Sequence, residues 1–167
     1  MAFNFRASPY PKNSDPFFDI VAIISAIASP RLRDVDPVID EIRGGFFENF
    51  SSQSSASGAW PALKDRTVKE RIRHGFGGHS PMLFRRGTYY QTFINPGNSD
   101  NVTDLRASAS GWTLEMGSND YRASTHEFGR YPIPARSVTD LTGPQLGRIG
   151  QAIEEMILNI ERQVGNA

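Results

Sequence analysis

The sequence contains no cysteine, and this absence excludes several kinds of site. Without thiols the chain can form no disulfide bond, no thiolate metal site and no thiol nucleophile. Lysine is scarce as well, because the 18 basic residues include only Lys12, Lys64 and Lys69, and the other 15 are arginines. Arginine suits protein interfaces better than lysine, since its planar head is weakly hydrated and pairs with carboxylates through two hydrogen bonds. The composition therefore favours contacts with proteins.

The chain also lacks an excess of charge of either sign, with 18 acidic and 18 basic residues and a formal net charge of zero. This balance argues against a protein whose main task is to coat DNA. The 167 residues, 38% hydrophobic and 22% charged, are enough for one domain with its own core. No break in composition suggests a second, so we expect a single domain over residues 1–167.

Long apolar runs are missing too. The run at residues 20–28 is far shorter than the roughly 20 residues that a membrane-spanning helix needs. Arg6 and Lys12 precede this run as in a secretory signal, but Asp15 and Asp19 lie where such a signal is positive or apolar. We therefore expect neither secretion nor a membrane partner.

Apolar residues at helical spacing predict two helices in the N-terminal third of the chain. The first covers residues 16–28, and the second begins with Asp36 as N-cap and Pro37 in its first turn. Gly44 and Gly45 weaken the second helix by roughly 1 kcal/mol each relative to alanine, so we expect close packing there. The apolar face of this helix consists of Val38, Ile42, Phe46 and Phe50.

The C-terminal half predicts a β-hairpin followed by a helix. Strands at residues 102–107 and 112–116 are joined through residues 108–111. The helix begins at a capping box of Thr142 and Gln145. Its apolar stripe, which we expect to pack on the hairpin, is Leu146, Ile149, Ile153, Met156, Ile157, Ile160 and Val164. These elements predict an α+β fold, in which a small antiparallel sheet packs against N-terminal helices and a C-terminal amphipathic helix, with long loops.

Three segments are predicted to be irregular. Residues 1–15, rich in Pro, Asn and Ser, would form an extended N-terminal arm. Residues 51–62, which begin with an uncharged Ser-rich stretch, and residues 75–80 would be flexible loops. Trp60, beside Pro61, is interpreted as an anchor that fixes the first of these loops to the sheet.

Residues 63–74 are rich in basic side chains and are interrupted by Asp65, Thr67 and Glu70. Two interpretations stay open: an ordinary solvated helix face, or a basic stripe that faces DNA in a channel. On the second interpretation the chain is a nucleic-acid-binding module. The candidate channel-lining or DNA-facing residues are Lys64, Arg66, Lys69, Arg71 and Arg73.

No motif in the sequence supports an enzyme, a metal centre or a cofactor site. The glycine-rich stretch at residues 74–79 lacks the Gly-Lys-Ser/Thr of a phosphate loop. His74, His79 and His126 include no carboxylate-backed pair at helical spacing, which a metal site would need. His126 and Glu127 are adjacent on a predicted turn, so their side chains point apart, and no HExxH motif continues from them. We expect no catalytic residue, no metal and no cofactor.

Residues 119–136, which read NDYRASTHEFGRYPIPAR, are too polar for a core strand and too aromatic for a plain loop. The spacing of the aromatic residues predicts a short helical turn that Gly129 would end, and the prolines that follow favour an extended backbone. The segment is either a surface connection whose aromatics pack on the domain's own core, or an exposed segment suited to subunit contacts. The candidate interface residues are Trp60, Tyr121, His126, Phe128, Arg130 and Arg136.

Several short motifs follow one another in order along the chain: Gly58, Trp60, Pro61 and Leu63; Leu83 and Gly87; a strand pair ending at Gly117; Tyr121, Ala123, His126, Phe128 and Gly129; and Ile133-Pro134-Ala135-Arg136 before the last helix. This order and spacing resemble those of the virion morphogenesis and tail-completion family of Mu-like phages. The chain departs from that pattern at two places, where Ser137-Val138-Thr139 replaces Pro-Phe-Leu and Arg86-Gly87 replaces Thr-Gly.

The resemblance implies a structural subunit of the virion neck or tail end. Such a subunit would form a homo-oligomeric ring, six-fold in symmetry, that completes the tail and joins it to the head. Its partners would be the tail tube and sheath or head-side connector proteins, with genomic DNA passing through the ring. It would reside in the host cytoplasm during assembly and then in the virion. Tyr121, His126, Phe128 and Arg136 would form the subunit interface or position it.

Overall fold

The computed structural model describes residues 24–78, 81–83, 86–108 and 111–165. Six helices and two antiparallel strand pairs make up this described part, and the predicted α+β fold class is confirmed. The predicted arm at residues 1–15 and the predicted helix start at residue 16 lie outside the described residues. The elements are α1 (residues 24–28), α2 (Leu32–Ser52), β1 (Ser54–Ser55), β2 (Gly58–Ala59), α3 (Asp65–Arg73), α4 (Thr88–Ile94), β3 (Asn101–Ser108), β4 (Gly111–Ser118), α5 (Ala123–Phe128) and α6 (Gly143–Gly165).

Helix α2 begins before its predicted N-cap, Asp36. Arg31 is the N-cap, and the Asp34 carboxylate accepts hydrogen bonds from the Arg31 backbone N–H and Nε, both at 3.0 Å. Val35 is fully buried, so this first turn already packs against the core. Asp36 and Pro37 are exposed within the helix. The prediction of Asp36 as N-cap is wrong, because an acidic residue three positions after Arg31 starts the helix instead.

Two groups of buried side chains form the core, and α2 contributes to both. The predicted apolar face of α2 is confirmed, since Val38, Phe46 and Phe50 are buried and Ile42 packs against both groups. The first group brings α2 together with α4, and the second brings it together with α6. The first group is Phe46, Phe50, Trp60, Met82, Tyr89, Phe93 and Val138; the second is Val35, Val38, Ile39, Ala152, Met156 and Ile160.

Gly45 allows a close approach between α2 and the chain that leads into α6. A Cβ atom at Gly45 would lie 2.7 Å from Leu141 Cδ2, which is closer than real Cβ atoms approach a neighbour. The expected close packing is therefore confirmed at this position. At Gly44 a Cβ atom would meet nothing within 4 Å among the described residues, so the same expectation is wrong there.

Helix α6 buries most of its predicted apolar stripe, against α2 as well as against the hairpin. Gln145 Oε1 accepts a hydrogen bond from the Thr142 backbone N–H at 2.7 Å, as a capping residue does. Met156 and Ile160 are buried, but Leu146 is 55% exposed, so its place in the stripe is wrong. The Gln145 amide takes the buried position instead and donates hydrogen bonds to α2.

The predicted β-hairpin is confirmed, and both strands are longer than predicted. Leu105 of β3 lies opposite Leu114 of β4. Trp112, Leu114 and Met116, which were expected on one face, pack together with Leu105 against the second core group. The hairpin therefore covers one side of the α2–α6 pair, and this arrangement leaves the residues that follow β4 beside α4.

Residues 51–62 are more regular than predicted, because β1 and β2 form a short hairpin with Ser55 opposite Gly58. The Asp140 carboxylate accepts hydrogen bonds from Ser55 Oγ at 3.0 Å and from Ser57 N–H and Oγ at 2.8 and 2.6 Å. These bonds, the Ser57 hydroxyl first, lower the pKa of Asp140. The prediction of an irregular loop is wrong here, because the Asp140 carboxylate accepts the hydrogen bonds of the Ser-rich turn. Asp140 lies 83 positions after Ser57 in the sequence, so no local pattern predicts this contact.

Candidate functional site

The segment at residues 119–136 begins with a buried acidic side chain that fixes the start of α5. Asp120 is 8% exposed, and its carboxylate accepts hydrogen bonds from Arg122 N–H and Nε, both at 2.8 Å, and from Arg122 Nη2. Its backbone oxygen accepts the Ala123 N–H at 2.8 Å. The Arg122 side chain holds the pKa of Asp120 below its usual value. The predicted short helical turn is confirmed, and Gly129 follows it with a φ of 73°.

Glu127 fixes the other end of α5 to the chain that leads into α6. Its carboxylate accepts hydrogen bonds from Ser137 Oγ at 2.5 Å, Val138 N–H at 2.8 Å and Thr139 Oγ1 at 2.8 Å. Ser137-Val138-Thr139 is also the place where the chain departs from the tail-completion pattern. The hydroxyl groups of Ser137 and Thr139 therefore have a structural role in this chain, because both donate hydrogen bonds to Glu127.

Arg136 is buried beneath the segment rather than exposed on it. It is 4% exposed, and its guanidinium donates from Nε and Nη2 to Pro61 O at 3.0 and 2.8 Å and from Nη2 to Ala62 O at 3.3 Å. Its backbone N–H donates to His126 O at 2.6 Å. Arg136 therefore offers no contact area in the single chain, so of its two expected roles the direct interface contact is wrong and the positioning of the segment fits the structure.

Trp60 is likewise buried, at 6% exposure, so its assignment to a partner interface is wrong. Its ring packs edge-on against Phe50 with centroids 6.0 Å apart, and Nε1 donates to Ser137 O at 3.1 Å. The interpretation of Trp60 as an anchor is correct. The expectation that it fixes the loop to the sheet is wrong, because the Trp60 ring packs on Phe50 of α2 and its Nε1 is bound to the chain beyond residue 136.

The segment also carries three exposed aromatic rings, which we call the aromatic surface: Tyr121, Phe128 and Tyr131, exposed by 86%, 84% and 98%. Arg130 is exposed beside them, and Ile133 is 42% exposed. An apolar ring left in water gains nothing for folding, so these three rings are the candidate contact surface of the segment.

Tyr131 is not among the sequence candidates, because the prolines beside it predict an extended backbone with no exposed tip. The structure instead has a tight turn, in which Arg130 N–H donates to Ile133 O at 2.8 Å and Ile133 N–H donates to Arg130 O at 2.5 Å. Tyr131 lies at the tip of this turn. Its position between Gly129 and Pro132 was the signal for a turn.

His126, on α5, packs beside the Tyr89 ring, with centroids 5.2 Å apart. Burial lowers the pKa of His126, and the charges of Arg136 and Arg122 lower it further. Its Nδ1 atom is buried and has no hydrogen-bond partner. His126 is only partly exposed, so it supports the segment more than it offers contact area.

The basic stretch divides in the same way into exposed and buried residues. Arg66, Lys69 and Arg73 are exposed on α3, and Lys64 is exposed at its N-cap. Arg71 is 6% exposed and donates from Nε to Gly77 O at 2.8 Å and from Nη2 to Pro81 O at 3.0 Å. Arg71 as a DNA-facing residue is therefore wrong, because it holds the loop after α3.

Among the described residues, no group of three His, Asp or Glu side chains is placed to hold a metal ion. His74 is exposed after α3, and His79 lies outside the described residues. Within the same described ranges, no helix has the length and apolar character that crossing a bilayer would require.

Comparisons of the chain with protein-family models, with curated proteins and with solved structures give no match. The resemblance to the tail-completion family therefore stays a prediction from the sequence motifs.

Proposed function

We propose that this protein is a structural subunit of a phage virion neck or tail end, which forms a ring that completes the tail and joins it to the head. The observation that carries the proposal is the aromatic surface, with Tyr121, Phe128 and Tyr131 each more than four-fifths exposed. Aromatic side chains are enriched at the energetic centre of protein interfaces, and three exposed ones within one short folded segment are a candidate for such a contact.

The way the segment is held supports an interface that is ready before binding. Glu127 and Arg136 fix its backbone through hydrogen bonds to the chain outside the segment, and Asp120 fixes the start of α5 through hydrogen bonds to Arg122. A surface that is already ordered loses less conformational entropy on association, so more of the contact energy contributes to affinity. In a ring, each subunit would place this surface on a different surface of its neighbour, and the contact would repeat until the ring closes.

Electron microscopy of the protein mixed with isolated phage tails tests the proposal. We expect rings, six-fold by the family resemblance, alone or at tail ends. The Phe128→Ser variant should lose them, because it removes exposed apolar area without touching the buried anchors. Leu158→Ser is the matched control, since Leu158 is 48% exposed on α6, away from the segment. Wild-type protein that stays monomeric and ignores tails would overturn the proposal.

The second candidate function is nucleic-acid binding through α3. It is favoured by four cations, Lys64, Arg66, Lys69 and Arg73, that are exposed together on and beside one short helix. Phosphate contacts release counterions, so DNA affinity would fall steeply as salt rises, and Arg66→Gln with Arg73→Gln would reduce that slope. Absence of binding at low salt would remove this candidate.

A further inference from the structure

A cleft of about 420 Å³ opens beside the aromatic surface, between α4 and α5. Its edge adjoins Tyr121, because the Arg122 guanidinium lies 5.4 Å from the centre of the Tyr89 ring and 5.6 Å from the centre of the Tyr121 ring. A partner seated on the aromatic surface would therefore also face the cleft. The lining residues are Leu83, Arg86, Thr88, Tyr89, Arg122 and His126.

Three locally unfavourable features meet at this cleft. Tyr89 Oη and His126 Nδ1 are buried without a hydrogen-bond partner, and only one other buried side-chain atom among the described residues shares that state. Leu83 has a φ of 60°, in the left-handed region that non-glycine side chains rarely adopt. Folded proteins pair nearly all buried polar atoms, so unpaired groups and strained backbone concentrate where a ligand completes the site.

The charges around the cleft select the kind of ligand. Arg86 is exposed and forms no ion pair among the described residues, whereas the Arg122 charge is matched by Asp120. Burial raises the pKa of the Tyr89 phenol, and the nearby Glu127 and Asp120 raise it further, so this group remains a hydrogen-bond donor. Of the described residues that line it, the cleft thus offers one cation without an ion-pair partner, together with neutral hydrogen-bonding groups, which suits an anion of a single charge.

We propose that the cleft binds a carboxylate side chain presented by a neighbouring subunit, with Arg86 as its ion-pair partner and Tyr89 and His126 as its hydrogen-bond partners. The neighbour in this inference rests on the proposed ring. A doubly charged phosphate fits less well, because Asp120 and Glu127 lie close to Tyr89. Tyr89 and His126 line the cleft, but their unpaired Oη and Nδ1 atoms are buried, so binding requires a lining residue to move, and the proposal assigns that movement to the strained Leu83.

A titration of the purified protein with acetate at constant ionic strength, followed by nuclear magnetic resonance of the His126 ring, tests the site. We expect a saturable shift of the His126 signals. Arg86→Gln should weaken acetate binding by about tenfold, because a hydrogen bond to a charged group is lost. Arg33→Gln is the matched control, an exposed arginine on α2 that does not line the cleft, and it should leave binding unchanged.

Absence of a saturable shift, or equal binding by Arg86→Gln and wild type, would overturn the carboxylate site. Inorganic phosphate that binds more tightly than acetate would also overturn it, in favour of a phosphate ligand. Ring formation is read separately by microscopy. Rings without acetate binding would refute the cleft alone, whereas acetate binding without rings would keep the carboxylate site and refute the neighbouring subunit as its source.

Discussion

The two sides of the segment at residues 119–136 differ in what they contribute to the molecule. The inner side consists of polar side chains: Glu127 and Arg136 are hydrogen-bonded to the chain outside the segment, and Asp120 is hydrogen-bonded to Arg122 within it. The outer side carries the aromatic surface, whose rings are exposed. In this segment polar residues maintain the fold and aromatic residues are left for contact, which reverses their usual places. Stability and assembly should therefore respond to different substitutions.

The largest expected effect is on the inner side, at Arg136. Replacing Arg136 by Ala removes the donors to Pro61 O and Ala62 O and should lower the free energy of unfolding by about 3 kcal/mol. Urea denaturation measures this change. Arg130→Ala is the control, because Arg130 is exposed and its loss should change stability by less than about 0.5 kcal/mol. Equal effects of the two variants would contradict the division into two sides.

A smaller loss is expected at Glu127, which is only partly buried. Glu127→Ala leaves Ser137 Oγ and Val138 N–H without their acceptor and should cost about 2 kcal/mol, while Glu127→Gln, which keeps one acceptor oxygen, should cost less. Thermal denaturation at neutral pH compares the two variants. The control is Glu155→Ala on the exposed face of α6. If Glu127→Ala melted at the same temperature as the wild type, the hydrogen bonds of Glu127 would not stabilise the fold.

The pH dependence of stability should report on His126. Its pKa in the folded protein is lower than the ordinary value of 6.5, mainly because of burial, so the unfolded chain binds a proton more readily. The contribution of neutral His126 to the free energy of unfolding is therefore fully present above about pH 6.5. It is lost as the pH falls from there through the pKa of His126 in the folded protein. Denaturation curves at several pH values should show a smaller loss for His126→Gln. The exposed His74→Gln is the control, and an unchanged slope in His126→Gln would refute the assignment.

The smallest effect on stability is expected on the outer side. Replacing Tyr121, Phe128 and Tyr131 together by Ser should change the free energy of unfolding by less than about 0.5 kcal/mol for each position, since these rings bury little area in the single chain. Urea denaturation of the triple variant measures this. A loss comparable with that of Arg136→Ala would mean that the aromatic surface belongs to the fold rather than to an interface.

Long periodic patterns predicted most of the fold. An element that buries one side needs apolar residues at a regular local spacing, and this spacing is visible in the sequence. It predicted the apolar face of α2, the apolar stripe of α6 and the alternation in β4. The errors at the ends of these elements have local causes as well. Asp34 starts α2 before Asp36, and the Gln145 amide takes the buried position that Leu146 was expected to hold.

The sequence did not show which polar residues are buried. Arg136 donates a hydrogen bond to the carbonyl oxygen of Pro61, 75 positions earlier in the sequence, and the Asp140 carboxylate accepts one from Ser57, 83 positions earlier. Because the partners are so far apart in the sequence, no local pattern predicts either bond. Arginine is expected at a surface from its charge, and only the fold reveals that Arg71 and Arg136 hold loops instead. The exposed position of Tyr121 and Phe128 likewise follows from the anchors beneath them.

The central claim is tested most directly by light scattering, which measures the native mass of the wild type and of the triple Ser variant at Tyr121, Phe128 and Tyr131. The comparison requires that the two proteins melt at the same temperature, so that both are folded. We expect the wild type to form an oligomer of defined mass and the triple variant to remain monomeric, because the aromatic surface supplies the contact between subunits. An oligomer of the same mass in both proteins would contradict the claim that the outer side of residues 119–136 is the subunit interface.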